Sequence, residues 1–217
     1  MDERFSDRAA AGQALVRRLA HLHGTGALVL ALPRGGVPVA AEVARALDLP
    51  LDVILVRKVG LPGQRELALA AIAGPDGQTL VVNRDVARLS DIGPARIEEL
   101  AAPERAELRR RHDLWIGPRA VPDPRGRHVI LVDDGIATGA TTRAAIQAVR
   151  AQGAARITLA VPVAPADTVA DLAAQVDDLI CLVTPAPFWA VGAHYDHFDQ
   201  VSDDEVRRTL DDLRARR

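Results

Sequence analysis

The sequence predicts an α/β fold with a doubly wound, mainly parallel sheet, formed by a single domain over residues 1–217. Short apolar runs that suit buried strands alternate with segments that suit helices, and the turns between them are short and often rich in glycine. One strand in the second half of the chain ends in two adjacent acids, with strand-to-helix transitions on both sides at the spacing of βαβ units. With 217 residues, 48% of them hydrophobic, the chain is long enough for one such core.

Composition excludes several classes of partner. The formal net charge of −2 gives no reason to expect nucleic acid, and no apolar run is long enough to predict a membrane span. The chain opens with Asp2, Glu3 and Arg4, which do not resemble a secretory signal, so we expect a cytoplasmic protein. The one cysteine, Cys181, lies in the apolar run Leu179–Val183, which predicts a buried strand residue and not a nucleophile.

The N-terminal region predicts a helix, a strand and a candidate anion site. Apolar residues recur at helical spacing over Asp7–His23, and Asp7 or Ser6 can cap this helix. Ala27–Leu32 suits the first buried strand, and the predicted helix Val39–Leu47 follows it after a tight turn. The turn carries one cation and two glycines, Arg34, Gly35 and Gly36. Such a turn before a helix N-terminus can bind an anion.

Two further cations follow the next predicted strand. Asp52–Val56 predicts a strand with Arg57 and Lys58 at its carboxyl edge, followed by a Gly/Pro-rich stretch that suits a mobile loop. The alternative interpretation is that both are solvated surface charges. Gln64–Asn83 predicts a hairpin of Leu67–Ala73 and Thr79–Asn83, with Arg65 and Glu66 as loop contacts.

A long charged helix is predicted over Pro94–Trp115, and Pro103 should kink or split it. The run Arg109-Arg110-Arg111 could suggest nucleic-acid binding. Acids in the same element balance it, so we interpret it as a solvated helix face.

The central stretch His128 to Ala145 reads HVILVDDGIATGATTRAA. Val129–Val132 predicts a central strand, so Asp133 and Asp134 stand at its carboxyl end, where open α/β sheets bind ligands. The following loop has exposed backbone and hydroxyl groups just before a helix that starts near Arg143, which predicts a phosphate cradle. The cradle consists of Gly135, Ile136, Ala137, Thr138, Gly139, Ala140 and Thr141.

A ribose 5-phosphate fits between the acids and the cradle, with its hydroxyls toward the acids and Mg²⁺ bridging to a second anion. A Walker B strand would look similar. It is disfavoured because the chain has no GxxxxGK[ST] motif and its only lysine is Lys58.

The rest of the chain completes the sheet and adds an aromatic segment. We expect a helix over Arg143–Gln152, a strand over Ile157–Val163, a helix over Pro165–Gln175 and a last parallel strand over Leu179–Val183. Residues 185–203 then hold a cluster of aromatic and histidine side chains. The cluster comprises Phe188, Trp189, His194, Tyr195, His197 and Phe198. It suits a ligand-stacking surface, a dimer interface or a small core of its own, and the two histidines could form a metal pair for which no third ligand is evident.

The strand, acid pair and TG-containing loop resemble the PRPP-binding motif of type I phosphoribosyltransferases. The resemblance implies that fold, with Arg34, Gly35 and Gly36 holding the pyrophosphate and Asp133 and Asp134 holding ribose and Mg²⁺. Residues 185–203 would be a small hood over the acceptor, with Phe188, Trp189 and Tyr195 as acceptor-binding candidates. The run VRKVGLPG, residues 56–63, is similar to VRKxGxLPG of adenine phosphoribosyltransferases, where the Arg and Lys contact pyrophosphate and the loop closes over it.

The resemblance is widest to bacterial stand-alone phosphoribosyltransferase-like proteins whose acceptor is generally unassigned. Enzymes for 6-oxopurines usually carry an Asp just before the TG pair, where this chain has Ala137, so hypoxanthine and guanine are disfavoured. Adenine cannot be carried over either, because the similarity to adenine enzymes stops after LPG.

We therefore expect a Mg²⁺-dependent phosphoribosyltransferase that moves 5-phosphoribosyl from PRPP to a nitrogen-bearing small-molecule acceptor and that forms a homodimer. Arg57, Lys58, Asp133 and Asp134 are the predicted catalytic residues, and Glu66, His194 or His197 could accept a proton. The main alternative is a regulator of the same fold that binds PRPP or nucleotides without turnover. A hydrolase of PRPP-like phosphates, or a domain that works beside another enzyme, is the third.

Overall fold

A computed structural model describes residues 4–74 and 77–215. Its strands are β1 (Leu28–Ala31), β2 (Leu51–Val53), β3 (Val56–Leu61), β4 (Gln64–Ala73), β5 (Thr79–Val82), β6 (His128–Val132), β7 (Arg156–Val163) and β8 (Asp178–Val183). Its helices are α1 (Arg8–Leu19), α2 (Gly36–Leu47), α3 (Arg84–Leu89), α4 (Pro94–Trp115), α5 (Ala140–Ala151), α6 (Ala166–Ala173) and α7 (Asp203–Ala215). Short 3₁₀ turns cover Ala20–Leu22 and Val191–His194.

Five parallel strands form the main sheet in the order β2-β1-β6-β7-β8. Both faces are covered, because Ile130 and Val132 of β6 join the core on one side while Val129 and Leu131 join the core on the other. Helix α2 packs in the first core and helix α5 in the second, which makes a three-layer α/β arrangement. The predicted doubly wound parallel sheet is confirmed.

The strand order places a topological switch point between β1 and β6, because the chain adds β2 on one side of β1 and then β6, β7 and β8 on the other. The two strands stay paired to their carboxyl ends, where the Leu32 N–H donates to the Val132 carbonyl at 2.8 Å. Open α/β sheets bind ligands in the crevice outside such a point. The Arg34 turn follows β1 and the acid pair follows β6, so both stand at this crevice.

The predicted strand Asp52–Val56 is wrong as a single element. Strand β2 ends at Val53, and β3 starts at Val56 in a separate antiparallel sheet with the order β3-β4-β5. The linking residues Ile54 and Leu55 are as buried as the strands, so hydrophobicity does not show the break. Arg57 and Lys58 thus lie within β3, and the predicted hairpin of β4 and β5 is extended by a second hairpin that turns at 62–63.

Several element boundaries also differ from those predicted. Helix α4 runs without a break through Pro103, which lies on the exposed side, where the carbonyl that loses its partner can be hydrated. Helix α2 begins three residues before Val39, and α5 begins three residues before Arg143. Neither helix α3 nor helix α7 was predicted. The first helix begins with the expected cap, since the Asp7 carboxylate accepts from the Ala10 N–H at 2.8 Å.

Residues 185–203, the hood, fold against the N-terminal end of the chain. The Phe5 N–H donates to the His194 carbonyl, and the Phe5 carbonyl accepts from the Asp196 N–H, each at 2.9 Å. Cys181 lies in β8 as predicted and is partly buried. Within residues 4–74 and 77–215, no helix combines the length and apolar character needed to cross a membrane.

Candidate functional site

The glycine turn packs directly against the acid pair. A Cβ atom built on Gly35 would lie 2.0 Å from Asp134 Oδ2, and one built on Gly36 would lie 2.7 Å from the Val132 carbonyl oxygen. Neither position has room for a side chain, so glycine at both allows the turn to reach the end of β6. The two predicted anion-site motifs, separated by about a hundred residues of sequence, are therefore in contact.

Arg34 precedes these glycines and borders a cavity of about 350 Å³. The peptide bond between Pro33 and Arg34 is cis. The guanidinium lies 3.7 Å from the Asp203 carboxylate at the start of α7, and the same Asp203 oxygen accepts from Trp115 Nε1 at 3.1 Å. The cavity is lined by Arg8, Arg34, Gly35, Asp134, Phe198, Gln200 and Val201.

Arg8 of α1 is a further residue of this site, and the sequence does not predict it. Its Nε donates to Asp134 Oδ2 at 2.8 Å, and its Nη1 donates to the Asp199 carbonyl at 2.7 Å. Its guanidinium also stacks 3.9 Å from the centre of the Phe198 ring. One arginine thus joins the acid pair to the hood, and no local pattern around Arg8 in the sequence indicates this.

The two acids differ in their partners. Asp133 Oδ1 accepts from the backbone N–H of Asp134 at 2.9 Å. Burial, together with the Asp134 carboxylate, raises the pKa of Asp133 well above its usual range. Burial also raises the pKa of Asp134, while the hydrogen bond and positive charge of Arg8 act in the opposite direction. Two carboxylates held side by side with little solvent favour a ligand that brings cations or hydroxyl donors.

The loop of residues 135–141 is anchored by hydrogen bonds to β7 and α6, and its other side is exposed to solvent. The Ile136 N–H donates to the Val163 carbonyl at 2.9 Å, and Thr168 Oγ1 donates to the Ala137 carbonyl at 3.0 Å. Gly139, with φ of +72°, precedes α5 in a backbone conformation that few other residues adopt. The side chains of Ala137, Thr138 and Thr141 are exposed. An exposed loop at a helix N-terminus is suited to a phosphate group.

Arg57 and Lys58 line a second cavity, of about 560 Å³, together with Pro33 of the glycine turn and Thr141 of the loop. Arg57 Nε donates to Glu104 Oε2 of α4 at 2.7 Å, so this cation is paired with a carboxylate. The turn at residues 33–35 therefore separates two adjacent cavities, one on the side of the hood and one on the side of the hairpin.

The hood aromatics occupy different environments. Trp189 is 82% exposed, whereas Tyr195 is 2% exposed and packs beside Ala11 and Val163. The Tyr195 hydroxyl donates to the Asp134 carbonyl at 2.6 Å. In this arrangement the Tyr195 ring supports the acid pair and does not form a stacking surface, contrary to its predicted role. Phe188 stacks on His194 with ring centres 5.8 Å apart.

A metal pair of His194 and His197 has no further support. Among residues 4–74 and 77–215, no group of three or more His, Cys, Asp or Glu side chains is placed to hold a metal ion. Glu66, a predicted proton acceptor, and Arg65 have side chains outside the described part of the structure.

Comparison with known proteins agrees with the geometry. Residues 8–197 match the family model described as the phosphoribosyl transferase domain. Two curated Mycobacterium tuberculosis proteins, from strains H37Rv and CDC 1551, both carry the name "Putative phosphoribosyl transferase" and are 50% identical over 207 residues. That alignment covers 95% of this chain and 46% of each relative, so the chain spans about half the length of these relatives.

A solved structure is similar over its whole length. The crystal structure of TT1426 from Thermus thermophilus is 43% identical, with a TM-score of 0.89, and the alignment covers 97% of this chain and 99% of that one. The match to the family model covers most of the chain, including the glycine turn, the acid pair and the loop that follows it. The chain belongs to the phosphoribosyl transferase domain family.

Proposed function

We propose that this protein transfers the 5-phosphoribosyl group of PRPP to a nitrogen-bearing small-molecule acceptor and releases pyrophosphate. The observation that carries the proposal is the contact of the Gly35 turn with Asp134 at the switch point between β1 and β6. PRPP has phosphate at both ends of one sugar. The contact supports a single ligand that reaches from the loop of residues 135–141, past the acids, to the turn.

Each part of the site then has a role in the transfer. The loop of residues 135–141 binds the 5-phosphate, and Asp133 and Asp134 accept hydrogen bonds from the ribose hydroxyls. In the reaction, the bond from C1 to the pyrophosphate oxygen breaks and a bond from C1 to the acceptor nitrogen forms. Where that nitrogen carries a proton, the proton leaves to solvent or to a side chain that acts as a base. Negative charge grows on the leaving pyrophosphate, and Arg34, Arg57 and Lys58 stabilise it. The protein thus contributes mainly position and charge.

Mg²⁺ is the metal that these residues fit. Mg²⁺ is commonly held by one or two carboxylates together with substrate oxygens and water, and a complete protein cage is not needed. Asp133 and Asp134 supply two carboxylates, and their raised pKa values reflect a place where added positive charge is favourable. When bound, Mg²⁺ would neutralise charge on the pyrophosphate.

The acceptor would lie under the hood. Trp189 offers an exposed ring for stacking, and the cavity beside Asp134 is bounded by the hood residues Phe198 and Gln200. Tyr195 would contribute indirectly, by holding the Asp134 carbonyl. Ala137 offers no carboxylate next to the TG pair, which favours acceptors other than 6-oxopurines.

Ligand-induced stabilisation tests PRPP binding. PRPP with Mg²⁺ at about 100 times its Kd should add about 2.7 kcal/mol to the unfolding free energy, and chelation with EDTA should remove most of that gain. Asp134→Asn should abolish the thermal shift. Ribose 5-phosphate, which lacks the pyrophosphate, should give a smaller shift. No shift of the unaltered protein with PRPP and Mg²⁺ would contradict the proposal.

A PRPP-binding regulator of the same fold is the second candidate. It is favoured by the ion pair of Glu104 with Arg57, because Glu104 already neutralises a cation that the transfer would use to stabilise the leaving pyrophosphate. Pyrophosphate release, followed by phosphorus NMR across a panel of nitrogen heterocycles, separates the two. Release with one or more acceptors identifies the enzyme. PRPP binding without release from any acceptor identifies the regulator.

A further inference from the structure

Helix α4 contributes charged side chains to the cavity of about 560 Å³ that lies between it, β3 and the glycine turn. From α4 come Glu104 and Arg111, opposite Arg57 and Lys58 of β3. Pro33 and Thr141 also line the cavity, so it touches both segments that the proposed function assigns to the two ends of PRPP.

Cationic side chains from two elements meet at this cavity. Among the lining residues that the structure describes, Arg57, Lys58 and Arg111 are cationic and Glu104 is acidic. The Glu104 carboxylate is paired with Arg57 at 2.7 Å. Three cationic side chains thus converge on one cavity, which suits a polyanion and not an apolar ligand.

Arg111 differs from its neighbour Arg110, although both pair with the same acid. Arg110 Nε donates to Glu107 Oε2 at 2.8 Å and Arg111 Nε donates to Glu107 Oε1 at 2.7 Å. The side chain of Arg110 is 60% exposed, whereas that of Arg111 is 29% exposed, lies over the Trp115 ring and borders the cavity. The bond to Glu107 uses Nε, and a guanidinium carries four more N–H donors on its Nη groups.

We propose that Arg111 is a further binding residue for the pyrophosphate group of PRPP, supplied to the site by α4. The inference rests on the proposed function. A guanidinium binds phosphate oxygens in a bidentate manner, and Glu107 and Trp115 hold this one at the cavity. In the arginine run of α4, the side chains of Arg109 and Arg110 are exposed to solvent, whereas that of Arg111 borders the cavity.

The test compares Arg111→Met with Arg110→Met, which has the same helix, the same substitution and the same carboxylate partner. Calorimetry with Mg²⁺ and inorganic pyrophosphate should give a Kd at least about tenfold weaker for Arg111→Met, because a charge-assisted contact is lost. Arg110→Met should stay within about twofold, as expected for a solvated charge. Ribose 5-phosphate, which has no pyrophosphate, should bind both variants alike.

Arg111→Lys keeps the charge but lacks the planar guanidinium that can bind phosphate through two N–H groups, so it should recover part of the pyrophosphate affinity. This variant also controls for a folding defect in Arg111→Met. Equal pyrophosphate affinity in Arg111→Met, Arg110→Met and the unaltered protein would overturn the inference while leaving the proposed function intact. Failure of the unaltered protein to bind either PRPP or pyrophosphate would instead overturn the proposed function, and this inference with it.

Discussion

Arg8 Nε donates to Asp134 Oδ2 at 2.8 Å across 126 positions of sequence, and both side chains are almost enclosed, at 12% and 13% exposure. The pair joins the first residue of α1 to the carboxylate that we assign to the ribose. Arg8 also connects the hood to this pair, through its contacts with Phe198 and the Asp199 carbonyl. Removing Arg8 would leave the Asp134 carboxylate with little solvent and without this opposing charge.

Arg8→Met should therefore lower the unfolding free energy by about 3 kcal/mol, measured by urea denaturation. Arg4→Met is the matched control, because Arg4 also ties the N-terminal segment to the hood, through the Tyr195 carbonyl and Asp196. The ion pair of Arg4 is half exposed, at 50% and 54%, so its loss should cost less than about 1 kcal/mol. Equal losses in the two variants would show that Arg8 acts only as a tether.

Asp133→Asn should make the protein more stable at neutral pH and less able to bind PRPP. The pKa of Asp133 is raised in the folded state, so at neutral pH its ionisation works against folding. The isosteric amide removes that charge and can still accept from the Asp134 N–H, and we expect a gain of about 1 kcal/mol. Because the penalty disappears as the carboxyl is protonated, the difference between the two proteins should narrow as pH falls. A less stable variant would contradict this account.

Gly35→Ala adds only one methyl group but should disrupt the site. The added methyl would meet Asp134 Oδ2 at 2.0 Å, so the turn and the carboxylate cannot keep their present positions. We expect a loss of about 1–3 kcal/mol in unfolding free energy and no thermal shift with PRPP. Gly93→Ala, where a Cβ meets no atom within 4 Å, should change stability by less than about 1 kcal/mol. A normal PRPP shift in Gly35→Ala would refute the assignment of the turn.

Glu107→Gln should change the acid sensitivity of the protein. Hydrogen bonds from Arg110 and Arg111 lower the pKa of Glu107 from 4.5 to about 2. A carboxyl with a lowered pKa stabilises the fold above its unfolded pKa and loses that contribution as pH falls toward the folded value. The unaltered protein should thus be the more stable of the two near pH 6, and the difference in urea midpoint should shrink between pH 5 and pH 3. A difference independent of pH would contradict the ion pairs.

The parts of the fold that could be predicted from sequence are those set by local patterns. The strand over Val129–Val132, the acids after it and the glycine turn after β1 were placed correctly, because burial on both faces makes a continuous apolar run and parallel strands share one carboxyl edge. The contact of Gly35 with Asp134 follows once β1 and β6 are neighbours. That pairing depends on the order of all strands in the sheet. The sequence indicates it only indirectly, through the resemblance of the glycine turn and of the acid-pair loop to phosphoribosyltransferase motifs.

The parts that could not be predicted depend on contacts between distant residues or on ambiguous patterns. Nothing near Arg8 signals its bond to Asp134, and nothing near Arg111 distinguishes it from Arg110 until β3 is placed opposite α4. The break between β2 and β3 is hidden because Ile54 and Leu55 are apolar like their neighbours. Helix α7 did leave a signal, since Ser202 and Glu205 form a capping box that precedes Val206 and Leu210 on one face.

Helix α7 lies beyond residue 197, where the match to the family model ends. Its first residue, Asp203, nevertheless contacts Arg34 of the site. Asp203 accepts from Trp115 and stands beside Arg34, and Arg214 at the other end pairs with the fully buried Asp52 of β2. A fragment that ends at residue 197 would leave the buried Asp52 carboxylate without Arg214. It would also leave Arg34 of the glycine turn without Asp203. The working unit for any expression or swap of this domain is therefore longer than the region by which its family is recognised.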